Sequence, residues 1–146
     1  MCLTCAHGVL GAKEIEVLLD RGKRRKAELI GLDVAHDAAV LRIKLEKGEK
    51  LKPLPRTYEV PSVGEPVYVA GCAVFRHGLI LKGSIASGRL GFEYLHALRT
   101  YVEVCYMSAT IPRGLSGAPW VNSKGEAFAL QSGCVARGDS IWGIAF

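Results

Sequence analysis

The sequence predicts an all-β fold of the barrel or sandwich type, and three observations lead there. Apolar and polar residues alternate in short runs, with little sign of a 3.6-residue helical period. Glycines punctuate these runs, 17 in 146 residues, as turns between many short strands require. The 49% apolar and 23% charged content is that of a folded globular chain, so the strands carry enough apolar surface for a packed core.

The elements follow in order. An apolar run, Leu3-Thr4-Cys5-Ala6, delivers His7 into a turn at Gly8. Alternating runs then read as strands over 14–19, 27–32 and 38–43. Between the first two of these, Arg21-Gly22-Lys23-Arg24-Arg25-Lys26 concentrates five cations and reads as a solvated hairpin loop. No aromatic residue interleaves with it, which argues against a nucleic-acid platform. A nucleic-acid-binding barrel using this run is still a distinct reading, and steep salt dependence would mark it. A charged stretch with Pro53, Pro55 and Pro61 follows between Leu45 and Ser62 and reads as a linker. Further strands are expected over 66–72, 79–87, 101–108, 119–121, 127–136 and 140–146.

Composition removes several function classes. No run approaches the roughly 18 apolar residues of a membrane-spanning helix. No charged-then-apolar leader with a small-residue cleavage site is visible. The net charge of +5 is mild and largely local to the 21–26 run. Five cysteines cannot all pair. Cys2 and Cys5 form a C-x-x-C with no second pair at zinc-site spacing, so the cysteines read as small buried apolar residues. A Cys105–Cys134 contact between neighbouring strands stays open but is not favoured. His36, His77 and His96 show no close pair spacing, and no metal site is expected from them.

The chemistry concentrates in Ile111-Pro112-Arg113-Gly114-Leu115-Ser116-Gly117-Ala118-Pro119. A serine hydroxyl becomes a nucleophile when a base takes its proton and backbone N–H groups hold the resulting oxyanion. The flanking glycines allow a turn in which the N–H groups of Gly114 and Ser116 converge. A base is available in His7. An acid is available in Asp37, at the mouth of the apolar run Ala38-Ala39-Val40-Leu41. Taken singly, each residue has an ordinary reading: a turn serine, a loop histidine, a strand cap. Their conjunction, in the order His, Asp, Ser, is what carries weight. That order separates the chain from α/β-hydrolases, and Ala118 stands where their G-x-S-x-G elbow needs its second glycine.

The three blocks Leu3-Thr4-Cys5-Ala6-His7, Asp37-Ala38-Ala39-Val40-Leu41 and Gly114-Leu115-Ser116-Gly117-Ala118-Pro119 together resemble the signature blocks of trypsin-like serine proteases. The Deg-type, trypsin-like peptidase branch is the nearest in flavour. The resemblance implies two six-stranded antiparallel β-barrels with a cleft between them. Residues 1–52 would form the first barrel, 53–62 a linker and 63–146 the second. Only four strands are available around His7 and Asp37, so the first barrel is expected to lack the two strands before the histidine strand, and the chain to be a piece of a longer protein.

The same resemblance implies a serine endopeptidase acting on polypeptides through an acyl-enzyme, with His7, Asp37 and Ser116 as the triad and Gly114 and Ser116 as the oxyanion hole. No metal or organic cofactor is needed. It places Thr110, Ile111, Ser132, Gly133 and Trp142 around the specificity pocket. None is a carboxylate, so a small or medium apolar residue before the scissile bond is expected rather than Lys or Arg. Leu115 stands where trypsins carry the Asp that pairs with a freed N-terminus, so activation by trimming is not expected. A catalytically silent protease-fold module that binds peptides or protein partners is the alternative. An oligomer or an appended peptide-binding domain in the full-length protein is compatible with either reading.

Overall fold

The alternating runs assemble into two antiparallel sheets in the computed structural model, which describes residues 1–19, 22–73, 76–134 and 140–145. The N-terminal sheet contains β1 (Cys2–Cys5), β2 (Ile15–Leu18), β3 (Arg24–Asp33) and β4 (Ala38–Ile43), in the order β1-β4-β3-β2. Register explains its two faces. Ile15 and Val17 of β2 pair with Ala27 and Arg25, while Ala27 and Leu29 pair with Ile43 and Leu41 of β4, giving one largely apolar face. The other face carries ion pairs, Arg24–Glu16 at 3.2 Å and Arg42–Glu28 at 3.9 Å. β1 and β2 are both edges, so the sheet is an open half-barrel, as expected of an incomplete first barrel.

The second sheet contains β5 (Pro66–Ala73), β6 (Arg76–Ile85), β7 (Gly91–Leu95), β8 (Thr100–Ser108), β9 (Pro119–Val121), β10 (Ala127–Cys134) and β11 (Ser140–Ala145). The order β11-β10-β9-β5-β6-β8 closes on itself through a β11–β8 pairing, which makes a six-stranded barrel. β7 hangs outside that ring on the N-terminal half of β8. Closure removes the edges that an open sheet would expose. The barrel interior is filled by Val67, Val69, Ile85, Met107, Leu115, Trp120 and Phe128.

Three differences from the sequence reading have physical causes. β3 begins at Arg24, so the last three cations of the 21–26 run lie in a strand rather than a loop. Neighbouring carboxylates compensate them: Arg24 meets Glu16 of β2, Lys26 meets Glu14 just before β2 at 3.0 Å, and Arg25 meets Glu46 and Glu49 in the loop after β4. β7 was hidden because its large residues, Phe92 and Tyr94, face solvent rather than core. Cys105 and Cys134 do not sit on neighbouring strands, since β11 lies between β8 and β10. The expected ends of the last two strands, 135–136 and 146, fall outside the described residues.

β10 positions the site. Residues 127–132 are buried without a break, as befits a strand covered on both faces. Its start is held by the proline-bearing stretch, with Ala127 N–H donating to the Pro55 carbonyl and Thr57 N–H to the Ala127 carbonyl. Its end reaches across to the N-terminal sheet. Among the described residues no helix is long and apolar enough to cross a membrane.

Candidate active site

β1 delivers His7 into a short 3-10 turn, Ala6–Gly8, and Asp37 ties that turn down. Ala6 N–H donates to the Asp37 carbonyl at 3.0 Å, and His7 N–H donates to Asp37 Oδ1 at 2.9 Å. The imidazole Nδ1 lies 2.8 Å from Oδ2 and 3.0 Å from Oδ1. An ionised carboxylate can only accept, so this contact places the ring proton on Nδ1 and leaves the Nε2 lone pair available.

Asp37 ends the turn that joins β3 to β4 and has a φ of 47°, a left-handed conformation that aspartate tolerates better than most residues. It is fully buried. Burial pushes its pKa up, but hydrogen bonds from the His7 ring, the Ser132 hydroxyl and the His7 N–H outweigh this and hold the carboxyl below its ordinary value. Ser132 supplies its hydroxyl from β10 at 2.6 Å. That length is typical of an O–H donating to a carboxylate. The acid is therefore held from both sheets at once.

Ser116 lies exposed on the loop between β8 and β9. Two glycines with positive φ shape that loop, Gly114 at 100° and Gly117 at 83°. Leu115 is 2% exposed and anchors the loop by packing into the barrel core. This gives the leucine at that position a structural role. Gly71 accommodates it: a Cβ there would lie 2.6 Å from Leu115 Cδ2 and 3.1 Å from the Ala118 methyl. Ala118 thus packs toward β5. Gly117 N–H donates to the Gln131 carbonyl, and Gln131 N–H to the Ala118 carbonyl, both at 2.8 Å.

Gly117 also marks where the two sheets meet. A Cβ on it would fall 2.3 Å from Thr4 Oγ1 and 3.1 Å from the Cys5 nitrogen. Ser116 and His7 therefore depart from a single contact point between the serine loop and β1. Among the described residues the N–H groups of Gly114 and Ser116 donate to no other backbone group. No hydrogen bond joins Ser116 Oγ to His7 among them either.

The five residues expected around the pocket fall into different settings. Thr110 is exposed, and Ile111 packs against the barrel core. Ser132 spends its hydroxyl on Asp37. Gly133 packs directly on the Trp142 ring, which a Cβ would meet at 2.3 Å. Trp142 is buried with Val102 and Val104, on the outer side of the barrel. Sequence reasoning missed two neighbours of the acid. One is the bond from Ser132, 95 residues from Asp37, which leaves no local signal. The other is Cys5, whose thiol pKa is pushed far up by burial and by the adjacent Asp37 charge.

Comparison with known proteins bears on the fold and the family. The family described as trypsin-like peptidase domain matches residues 1–130. The chain is 32% identical over 145 residues to a probable periplasmic serine endoprotease DegP-like from Halomonas elongata, covering 99% of this chain and 29% of that protein. It is 30% identical over 140 residues to the mitochondrial serine protease HTRA2 of Bos taurus, covering 96% of this chain and 30% of that one. The chain thus spans under a third of the length of these curated relatives. The active form of the Rv3671c protease from M. tuberculosis superposes with a TM-score of 0.85 at 20% identity, covering 98% of this chain and 63% of that one, which speaks to the fold alone. With the half-barrel, the closed six-stranded barrel and the matched residues together, the chain belongs to the trypsin-like peptidase domain family.

Proposed function

We propose that the chain carries the catalytic face of a serine endopeptidase. Ser116 attacks the scissile carbonyl while His7 takes its proton at Nε2 and later returns it to the leaving amine. Asp37 fixes the tautomer and stabilises the imidazolium. The N–H groups of Gly114 and Ser116 receive the oxyanion. Water then releases the acyl group, and no metal or organic cofactor enters the reaction.

The observation that carries this reading is the buried Asp37, bound to both the ring and the backbone of His7 and to Ser132. A carboxylate with no solvent exposure is costly unless it is well satisfied. Here every bond it accepts either orients the imidazole or braces the carboxylate that does so. The exposed position of Ser116 beside the Gly117–Thr4 contact supports its role as nucleophile. Catalytic hydrogen bonds commonly tighten only when substrate is bound, so the open Ser116–His7 pair fits a resting site. Of the residues expected around the pocket none is a carboxylate. With Ile111 against the barrel core, Ser132 on Asp37 and Trp142 on the outer side, the preference for a small or medium apolar residue before the scissile bond rests on the sequence reading.

Turnover of a casein-type substrate tests the proposal. Cleavage by the parent chain is expected to fall at least about 1000-fold in Ser116→Ala and in His7→Ala. Peptide binding without turnover would support the silent-module reading. Cleavage that survives Ser116→Ala would remove this serine from the mechanism.

A further inference from the structure

We propose that Cys5, His7 and Asp37 form a binding site for a thiophilic divalent cation such as Zn²⁺, and that its occupation switches the catalytic dyad off. The second half of this statement rests on the function proposed above; the first does not.

One sulfur, one ring nitrogen and one carboxylate oxygen from these residues lie within 4.8 Å of one another. Cys5 and Asp37 are 1% and 0% exposed, while the His7 side chain at 18% gives access from the cleft. Thiolate, imidazole and carboxylate are the donors that zinc takes, whereas Mg²⁺ and Ca²⁺ require oxygen. Zinc bond lengths set tetrahedral donor separations of about 3.3–3.7 Å. The 2.8 Å contact between Nδ1 and Asp37 would thus widen by roughly half an ångström, and the sulfur would turn toward the pair from the Gln131 carbonyl it now contacts at 3.0 Å. Water on the His7 side completes the coordination.

The C-x-x-C spacing does not supply a second thiol. Cys2 pairs with Leu41 and Cys5 with Ala38, three positions apart on one strand, so they point to opposite faces. The site is built on Cys5 alone, together with residues from the turn and from β4's mouth.

The proton balance explains the switching. Cys5 loses its S–H proton to water when the sulfur binds the cation. His7 gives up the Nδ1 proton to make its own bond and takes one at Nε2, so one proton leaves per cation bound. With Nε2 protonated the ring has no lone pair to offer Ser116, and Asp37 is bound to the cation instead of orienting the imidazole.

Co²⁺ titration of the metal-free chain, followed by absorption, tests binding without relying on activity. A sulfur-to-cobalt charge-transfer band is expected in the parent and in Cys2→Ala. It should vanish in Cys5→Ala and in the similarly sized Cys5→Ser, with affinity falling at least about 100-fold, since outer partners of metal ligands alone are worth 10–100-fold. Zn²⁺ should suppress fluorophosphonate labelling of Ser116, reversibly on chelation, and lose that potency to the same extent in both Cys5 variants. Absence of the sulfur band in the parent, or unchanged Zn²⁺ potency in both Cys5 variants, overturns the proposal. A sulfur band in a chain whose Ser116 never labels would uphold the site and defeat the protease reading instead.

Discussion

Removing one oxygen, in Ser132→Ala, should weaken the fold in a way that depends on pH. The Ser132 hydroxyl donates to Asp37 Oδ2 at 2.6 Å, and both residues are buried, at 5% and 0% exposure. A hydrogen bond to a charged group is worth about 1.5–3 kcal/mol, and this bond's shortness and burial put it in the upper part of that range. Asp37 keeps its bonds to His7, so the full penalty of an orphaned carboxylate does not apply. For a chain of this size the loss corresponds to a fall in Tm of roughly 5–12 °C.

The sign with pH follows from the direction of the Asp37 shift. Its folded pKa is depressed, so its contribution is fully present above the unfolded value of about 3.9 and is lost as pH falls through the folded value. Without the Ser132 hydroxyl the depression shrinks. The stability gap between parent and variant should therefore be widest above about pH 5 and close as the pH drops below 4. Urea denaturation at a series of pH values measures it. A gap that is constant with pH, or smaller than about 0.5 kcal/mol at pH 7, would show that the Ser132 hydroxyl does not act through the Asp37 charge.

Three further outcomes are expected. Gly117→Ala should cost about 2–4 kcal/mol, because it adds left-handed strain at φ 83° and a Cβ 2.3 Å from Thr4 Oγ1; chemical denaturation measures this. Leu115→Ala should cost about 2–5 kcal/mol by opening a cavity in the barrel core, with the same measurement and a loosening of the serine loop in hydrogen exchange. The Glu49 carboxyl is held near a pKa of about 2, first by its hydrogen bonds from Arg25. Because this pKa is depressed, the support that Glu49 gives is present above its unfolded value and drains away as pH falls from about 4.5 toward 2. Glu49→Gln should flatten that part of the stability profile, and acid titration of Tm checks it.

The fold was legible where periodicity and burial coincide. β4, β5 and β9 alternate or stay apolar between turn residues, and their buried faces match the pattern. β7 was not, because its aromatic residues face outward and Gly91 is pressed against Tyr106 instead of marking a turn. His7 and Asp37 were legible from the short blocks that hold them, and the structure brings them together at 2.8 Å. The Ser132–Asp37 bond was not, since it arises from the approach of β10 to the N-terminal sheet, and neither was the Cys5 neighbour, which follows from the β1–β4 pairing that sets Cys5 opposite Ala38. A linear sequence shows no period for such a contact. The 21–26 cations illustrate the same point from the other side: their carboxylate partners, Glu14, Glu16, Glu46 and Glu49, become neighbours only once strand register and the following loop are set.

The proposed activity depends on Ser116 being a nucleophile activated through His7 and Asp37. The most direct test is to treat the folded chain with a fluorophosphonate probe and map the adduct by mass spectrometry. A single adduct on Ser116 is expected, lost in His7→Ala and slowed in Asp37→Asn. A folded chain that leaves Ser116 unmodified, or one that labels it equally well without His7, would rule out this triad.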